Sequence, residues 1–449
     1  MKQILKNNKT YACKWLFVLV MAVLCLLPCH SYCQANNYNV WLLSSGDIID
    51  FNTGRAVIRD GKNFDYTNNM LSLSDDDGNL ILYGSRIFYD VDNQVISNLK
   101  AYMYDCFGVR DPVSADSYYV GISGGGDVGV ADKEQNRFIK HIYKGIEGRF
   151  VVEDIVKLDR EGGVTGVVVC NEVFFATISA LDNAVSVYVV RDGRVQRIQS
   201  LPCKYPFPSS DDITIRYNAD CTKLYARLTS DGLSIFDFDL DSKTIANETF
   251  VAMDQLKAFD FSENGDYIYF LQGLRGEYTV TRCRETDLPN LTNIETVATL
   301  TGKWGNHSGN WEDLQLAPDG NIYIGIYRWD KLSYITETDG ECEFLEDAIK
   351  LSNPFGGRFP KMPRYQSSFK IGNCRHTVEP EYRGYPYTSI SWDFGDGTPT
   401  DSADRPVHNY ENPGSYTVTM TATFKNGIVK EVKKNVDVTD IKKPKIVKE

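Results

Sequence analysis

The sequence predicts an all-β chain in two folded parts, a β-propeller of six to seven blades followed by a smaller β-sandwich. Three observations predict it. Short runs rich in Val, Ile, Tyr, Phe and Thr replace helical periodicity. Asp-Gly, Asn-Gly and Gly-Gly pairs, the residues of tight hairpins, punctuate those runs. A strand–turn–strand unit also recurs along the chain. It is clearest at Phe259–Phe270 (FDFSENGDYIYF) and Leu314–Ile324 (LQLAPDGNIYI). Looser copies are Leu73–Tyr83 and Ile215–Tyr225, the second followed by the strand Leu233–Phe238, and degenerate copies fit Asp116–Asp132 and Val164–Arg194. Successive copies start roughly 40 to 55 residues apart, the period of a four-stranded blade. One blade cannot bury both of its faces, whereas blades packed radially can. Six copies are recognisable, and a seventh blade is expected to be shared between the termini. Tyr38–Phe51 and Pro363–Ile371 are the expected closing segments, because an open sheet edge invites aggregation.

Taken in order, residues 1–35 read as a signal peptide: Lys2, Lys6, Lys9 and Lys14 precede the apolar run Trp15–Leu27, and Cys33-Gln34-Ala35 presents small residues for cleavage before Asn36. The run is shorter than the roughly 20 residues that span a bilayer. Acylation of Cys29 or Cys33 is the alternative and would supply a lipid anchor. Residues 36–371 form the propeller-like part, and 372–387, with a cysteine, two prolines and several charges, read as a linker. A compact β-module occupies 388–440, and the lysine-rich 441–449 reads as a basic tail.

The module carries Trp392-Asp393-Phe394-Gly395-Asp396-Gly397, then His408-x-Tyr410, then Pro413-Gly414-x-Tyr416-x-Val418. Trp392, Phe394, Tyr416 and Val418 alternate at strand spacing and are expected to face a core. Gly395 to Gly397 reads as a tight turn, with Asp396 bonding nearby amides, and His408, without a cluster of partners, reads as structural. On these residues the last 70 or so positions resemble the PKD domain, an immunoglobulin-like β-sandwich. The preceding part is similar to the N-terminal domain of exported Bacteroidetes proteins that place it before PKD repeats. Val40-Trp41-x6-Ile48-Ile49-Asp50-Phe51-Asn52-Thr53-Gly54, Asp77–Tyr83, Leu314–Tyr323 and Pro363–Phe369 carry that likeness. It implies an exported protein, extracellular or at the cell surface, with outer-membrane association allowed.

Charge and chemistry narrow the function. Without its leader the chain has 44 basic against 60 acidic residues, a formal charge of −16, which repels phosphate backbones and excludes nucleic acid as a partner. Seven cysteines remain, an odd number, and none forms a C-x-x-C pair or a zinc framework. His141, His307, His376 and His408 stand apart from one another, so no metal, cofactor or catalytic residue is expected. Gly121-Ile122-Ser123-Gly124-Gly125 matches the nucleophile-elbow pattern but lies between strands rather than before a helix. Asp75-Asp76-Asp77-Gly78 lacks the spacing of a calcium loop. The candidate ligand surface is Trp304, Asn306, His307, Asn310 and Trp311, with Trp329 following, because aromatic rings stack on sugars while amides bond their hydroxyls. Interblade packing is the competing role for Trp311. The expected function is a non-catalytic extracellular or cell-surface binding or adhesion protein. The propeller would be its platform and the PKD module a spacer or interaction module, with a protein or glycan at the cell surface as partner. The membrane would be reached only through a lipid anchor or an envelope partner. The alternatives are a scaffold subunit of a cell-envelope complex and a polysaccharide-active hydrolase or lyase.

Overall fold

The computed structural model describes residues 39–438 except 60–69, 75–78, 86, 99–101, 112–113, 115–116, 126–137, 146–148, 158–160, 170–171, 180–181, 192, 206–212, 230–231, 275, 302–311, 339, 362–366, 375, 385–386, 404 and 424–428. The leader, residues 1–35, and the basic tail therefore lie outside the described residues.

Among the described residues seven sheets precede the sandwich. Blade 1 consists of Val40–Leu42, Ile48–Asp50 and Val57–Arg59, and the other six are four-stranded meanders over residues 71–98, 102–157, 161–202, 214–252, 256–301 and 313–350. Strand pairing within each is antiparallel, as hairpin connections require. In its four clearer copies the recurring sequence unit is the first hairpin of a blade, as where Leu314–Ile324 supplies the strands Asp313–Leu316 and Ile322–Gly325, whereas Asp116–Asp132 falls on the second strand of blade 3 and Val164–Arg194 on most of blade 4. The unit's glycine is needed where it stands. Gly265 has φ 81°, and a Cβ there would lie 2.3 Å from the Ala219 Cβ of the preceding blade.

Seven apolar clusters fill the seven gaps between blades, and so close the ring. Leu42 meets Met70 and Tyr83 between blades 1 and 2, and Leu73 and Phe88 meet Val120 and Ile142 between 2 and 3. Phe107 and Ile139 meet Val168 and Phe175 between 3 and 4. Phe174 and Val187 meet Leu224 and Phe236 between 4 and 5. Tyr225 and Leu233 meet Phe259 and Phe270 between 5 and 6, and Tyr269 and Val280 meet Leu314 and Ile324 between 6 and 7. The last gap is sealed by Trp41, Ile49 and Phe51 of blade 1 against Tyr323 and Leu332 of blade 7 and Phe355 and Phe359 beyond it. Each such buried side chain contributes about 1.5–3 kcal/mol of transfer free energy.

Closure differs from the shared blade expected. Among the described residues blade 1 has three strands, all N-terminal, and no strand after Lys350 pairs with it. Residues 351–361 instead run against it: Ser352 N–H donates to Asp47 (3.0 Å), the Asn353 amide to the Ser45 carbonyl (3.0 Å), and Phe359 packs 5.1 Å from Trp41.

The sandwich also starts earlier than expected. Ser367–Cys374 and Thr377–Gly384 form a hairpin over the end of the expected propeller and most of the expected 372–387 linker, and it pairs with His408–Asn409. Phe369, Val378 and Tyr382 point inward at strand spacing onto Trp392 and Phe394, which makes the hairpin one wall of the core. Pro363–Phe369, expected to end the propeller, lies partly outside the described residues, and its described end, Ser367–Phe369, belongs to this wall. The facing sheet is Ser389–Asp393, Gly414–Thr423 and Val429–Val438.

Candidate functional site

The innermost strands of the blades converge on a buried, charged hub. Arg216 on the first strand of blade 5 donates through Nε to the Phe259 carbonyl (3.1 Å) and through a terminal nitrogen to Gln315 (3.2 Å), with Asp260 3.7 Å away. The chain after blade 7 enters the same space. Arg358 donates to the Thr214 hydroxyl (3.0 Å), and the Phe359 amide to Asp313 (2.9 Å). The Lys361 ammonium reaches Asp105 of blade 3 and the Val164 carbonyl of blade 4.

Three cations thus meet Asp105, Asp260 and Asp313 with almost no water contact. Each carboxylate also ties backbone amides. Asp105 accepts from Cys106 and from Val164 of the next blade, and Asp260 from Phe261 and from Leu316 of the next blade. Burial pushes the Asp313 carboxyl above its usual range, against the pull of Arg216 and Arg358. Burial likewise draws the Lys361 ammonium down, against Asp105. The hub ties blades 3, 4, 5 and 7 directly to one segment of chain, and blade 6 joins it through Arg216.

The sequence-predicted surface is only partly visible. Trp304, Asn306, His307, Asn310 and Trp311 lie outside the described residues. Trp329 is half-buried: its indole N–H donates to Asp347 (2.9 Å), the Lys331 ammonium sits 5.7 Å from its ring, and it packs on the cluster between blades 6 and 7. Glu312, next in sequence to Trp311, is buried and accepts from the Tyr278 hydroxyl (2.7 Å).

The nucleophile-elbow candidate resolves into ordinary strand. Gly121–Gly125 lies inside the strand Ser117–Gly125, with Ser123 buried, so the strand–turn–helix of a nucleophile elbow does not form there. Asp75–Gly78 lies outside the described residues. Among the described residues Cys106, Cys203, Cys221, Cys283 and Cys342 are free thiols, and burial raises those of Cys106, Cys203, Cys283 and Cys342, Cys203 to about 12 and Cys283 to about 11. His141 is less isolated than its sequence position suggests: its Nε2 lies 2.5 Å from the Ser117 hydroxyl, and its ring stacks on Tyr119. Burial lowers its basicity, while Asp111 and Glu153 act the other way.

In the sandwich the motif residues lie together around one core. Trp392 is fully buried and donates through Nε1 to the Ala403 carbonyl (3.0 Å). Asp393 accepts from the Gly395 amide (2.9 Å), and Gly395 and Gly397 have φ 73° and 81°. The Tyr410 hydroxyl donates to the Phe394 carbonyl (2.9 Å), and Tyr410 stacks on Tyr416 at 4.0 Å, two residues after Gly414 opens its strand. His408, read from sequence as lacking partners, has two: Asp396 lies 2.7 Å from its Nε2, and its ring stacks on Phe394 at 4.0 Å. The spacing of 12 residues across a loop hides that pair from strand periodicity. Val429–Val438 also reaches the propeller, with Lys430 3.9 Å from Glu263 in the first turn of blade 6.

Residues 380–439 match the sequence family described as the PKD domain. No curated protein matches the chain. Among solved structures, the PKD1 domain of the Vibrio cholerae metalloprotease PrtV is 26% identical and covers 16% of this chain and 95% of its own, with a TM-score of 0.16. The β-propeller domain of Cps50 (Swd1) from Myceliophteria thermophila is 11% identical over 65% of this chain and 90% of its own, with a TM-score of 0.40. A 6-phosphogluconolactonase candidate from Bacteroides fragilis is 13% identical over 84% and 97%, with a TM-score of 0.39. By its strand topology and the match over residues 380–439, the protein is an all-β chain that carries a C-terminal PKD domain behind a propeller of seven sheets among the described residues.

Proposed function

We propose that this is a non-catalytic binding protein of the extracellular space or cell surface, with the propeller as a rigid platform and the PKD sandwich as an attached interaction module. The axial hub carries this reading. Residues 358–361 enter the hub among the innermost strands, where Arg358 donates to Thr214, the Phe359 amide to Asp313 and Lys361 pairs with Asp105, so contact with a ligand falls to the turns and rims of the blades. PKD domains are typical of extracellular proteins, which agrees with export directed by residues 1–35. No helix among the described residues is long and apolar enough to cross a membrane.

The test is cross-linked capture of the tagged chain from intact cells, together with an array of glycans and matrix proteins. The expected result is a surface glycan or protein that binds without being consumed. Envelope proteins recovered at fixed ratio would make the chain a scaffold subunit. Turnover of a polysaccharide, abolished by one acidic substitution, would overturn the reading.

A further inference from the structure

A cleft of about 520 Å³ opens between blades 4 and 5, over the outer strands of blade 4. Its cations are Arg191, Arg194 and Lys243, and its one carboxylate is Glu172. This is a positive site on a chain of formal charge −12. Glu172 accepts from Lys243 at 2.6 and 2.9 Å and pairs with Arg191. Arg194 pairs with no carboxylate among the described residues.

Two features show that the fold tolerates a cost here. Arg191 and Arg194 are directly opposed in the register of the hairpin, and like charges so placed repel. Lys243 has a left-handed φ of 61°, which is unfavourable for a residue with a side chain. That turn, capped by Asp239, brings the ammonium across the blade boundary to 5.7 Å from the Phe174 ring. An anion seated between the two guanidiniums would relieve the repulsion, and the forked donors fit a carboxylate in two-point contact.

The rest of the lining selects among anions. Val189 and the half-buried Ile198 offer an aliphatic floor, and Gln196 an amide. A pyranose ring presents an apolar face to such a floor and hydroxyls to an amide. Glu172 would accept hydroxyl hydrogens from a sugar but would repel a densely acidic peptide.

We propose that this cleft binds an acidic glycan, holding a uronate carboxylate between Arg191 and Arg194. The proposal rests on the binding-platform reading and deepens it. It is tested by calorimetric titration of the full mature chain with trigalacturonate, its neutral methyl ester and a glutamate-rich hexapeptide. Arg194→Ala and Arg194→Lys are the variants, because Arg194 is exposed and its loss leaves the Glu172 pairs in place.

The acid should bind, and the ester and Arg194→Ala should each weaken binding by about tenfold or more, the loss of one charge-assisted contact. Arg194→Lys should fall between. Equal binding of the ester, no effect of Arg194→Ala, or preference for the peptide would each overturn the cleft assignment. Failure of the uronate while intact-cell capture still yields another ligand overturns the cleft alone. Failure of both overturns the platform reading as well.

Discussion

Asp396 accepts from the Thr398 amide (3.1 Å) and hydroxyl (2.6 Å) and lies 2.7 Å from His408. Burial acts to raise its carboxyl, but these bonds outweigh it and hold the carboxyl below the usual 3.8. The folded value is thus below the unfolded one. The stabilisation is complete above the unfolded pKa and is lost as pH falls through the folded one. The thermal transition of the sandwich should therefore drop on acidification below about pH 4, and Asp396→Asn should flatten that dependence in calorimetry across pH. The two turn glycines give a paired test. Both have positive φ, but a Cβ on Gly397 meets nothing within 4 Å, whereas one on Gly395 would lie 2.5 Å from the Thr417 carbonyl oxygen. Gly397→Ala should cost about 1–2 kcal/mol from backbone conformation alone, and Gly395→Ala more, measured by denaturant unfolding. The glycines and the Trp392 core position were legible in the sequence because conformation and alternation dictate them. The His408–Asp396 pair was not, because it depends on how two strands meet.

The segment 351–361 has no regular secondary structure, yet it holds the axis. Lys361 and Asp105 are 256 residues apart and both buried. Lys361→Met should destabilise the propeller by about 3–5 kcal/mol, because it leaves Asp105 charged and unpaired in the interior. Adding Asp105→Asn should restore part of that loss, and a double-mutant cycle of melting free energies reads the coupling. Additive losses would mean that the pair does not act as a unit. The first hairpins of blades 2, 5, 6 and 7 could be read from their turns. The Ser367–Gly384 hairpin could not, because Gly372, Cys374 and Pro380 interrupt its strand pattern. Pro380 is accommodated because its strand pairs on only one side at that position, opposite Ile371.

At the scale of the whole molecule, stability depends on a ring that, among the described residues, is closed by packing rather than by a strand contributed from the far terminus. Trp41 is fully buried at the closing gap, 5.1 Å from Phe51 and from Phe359 and 5.8 Å from Tyr323. Trp41→Ala should cost about 3–5 kcal/mol, and limited proteolysis should then cut within residues 351–361 before the other blades open. Equal protection of that segment in the variant would argue that closure does not depend on this gap. The amino-acid sequence by itself determined the β class, the first hairpins of four blades and the Trp392–Tyr416 motif of the sandwich. Alternation, turn chemistry and glycine conformation are local properties that neighbouring residues settle among themselves. Only the tertiary structure decided that seven sheets form the ring, that residues 351–361 seal and fill it, and that the sandwich begins at Ser367. It also decided that Arg191 and Arg194 face Lys243 across a blade boundary. Those outcomes depend on which apolar faces and buried charges find one another across hundreds of residues, and no local pattern carries that information.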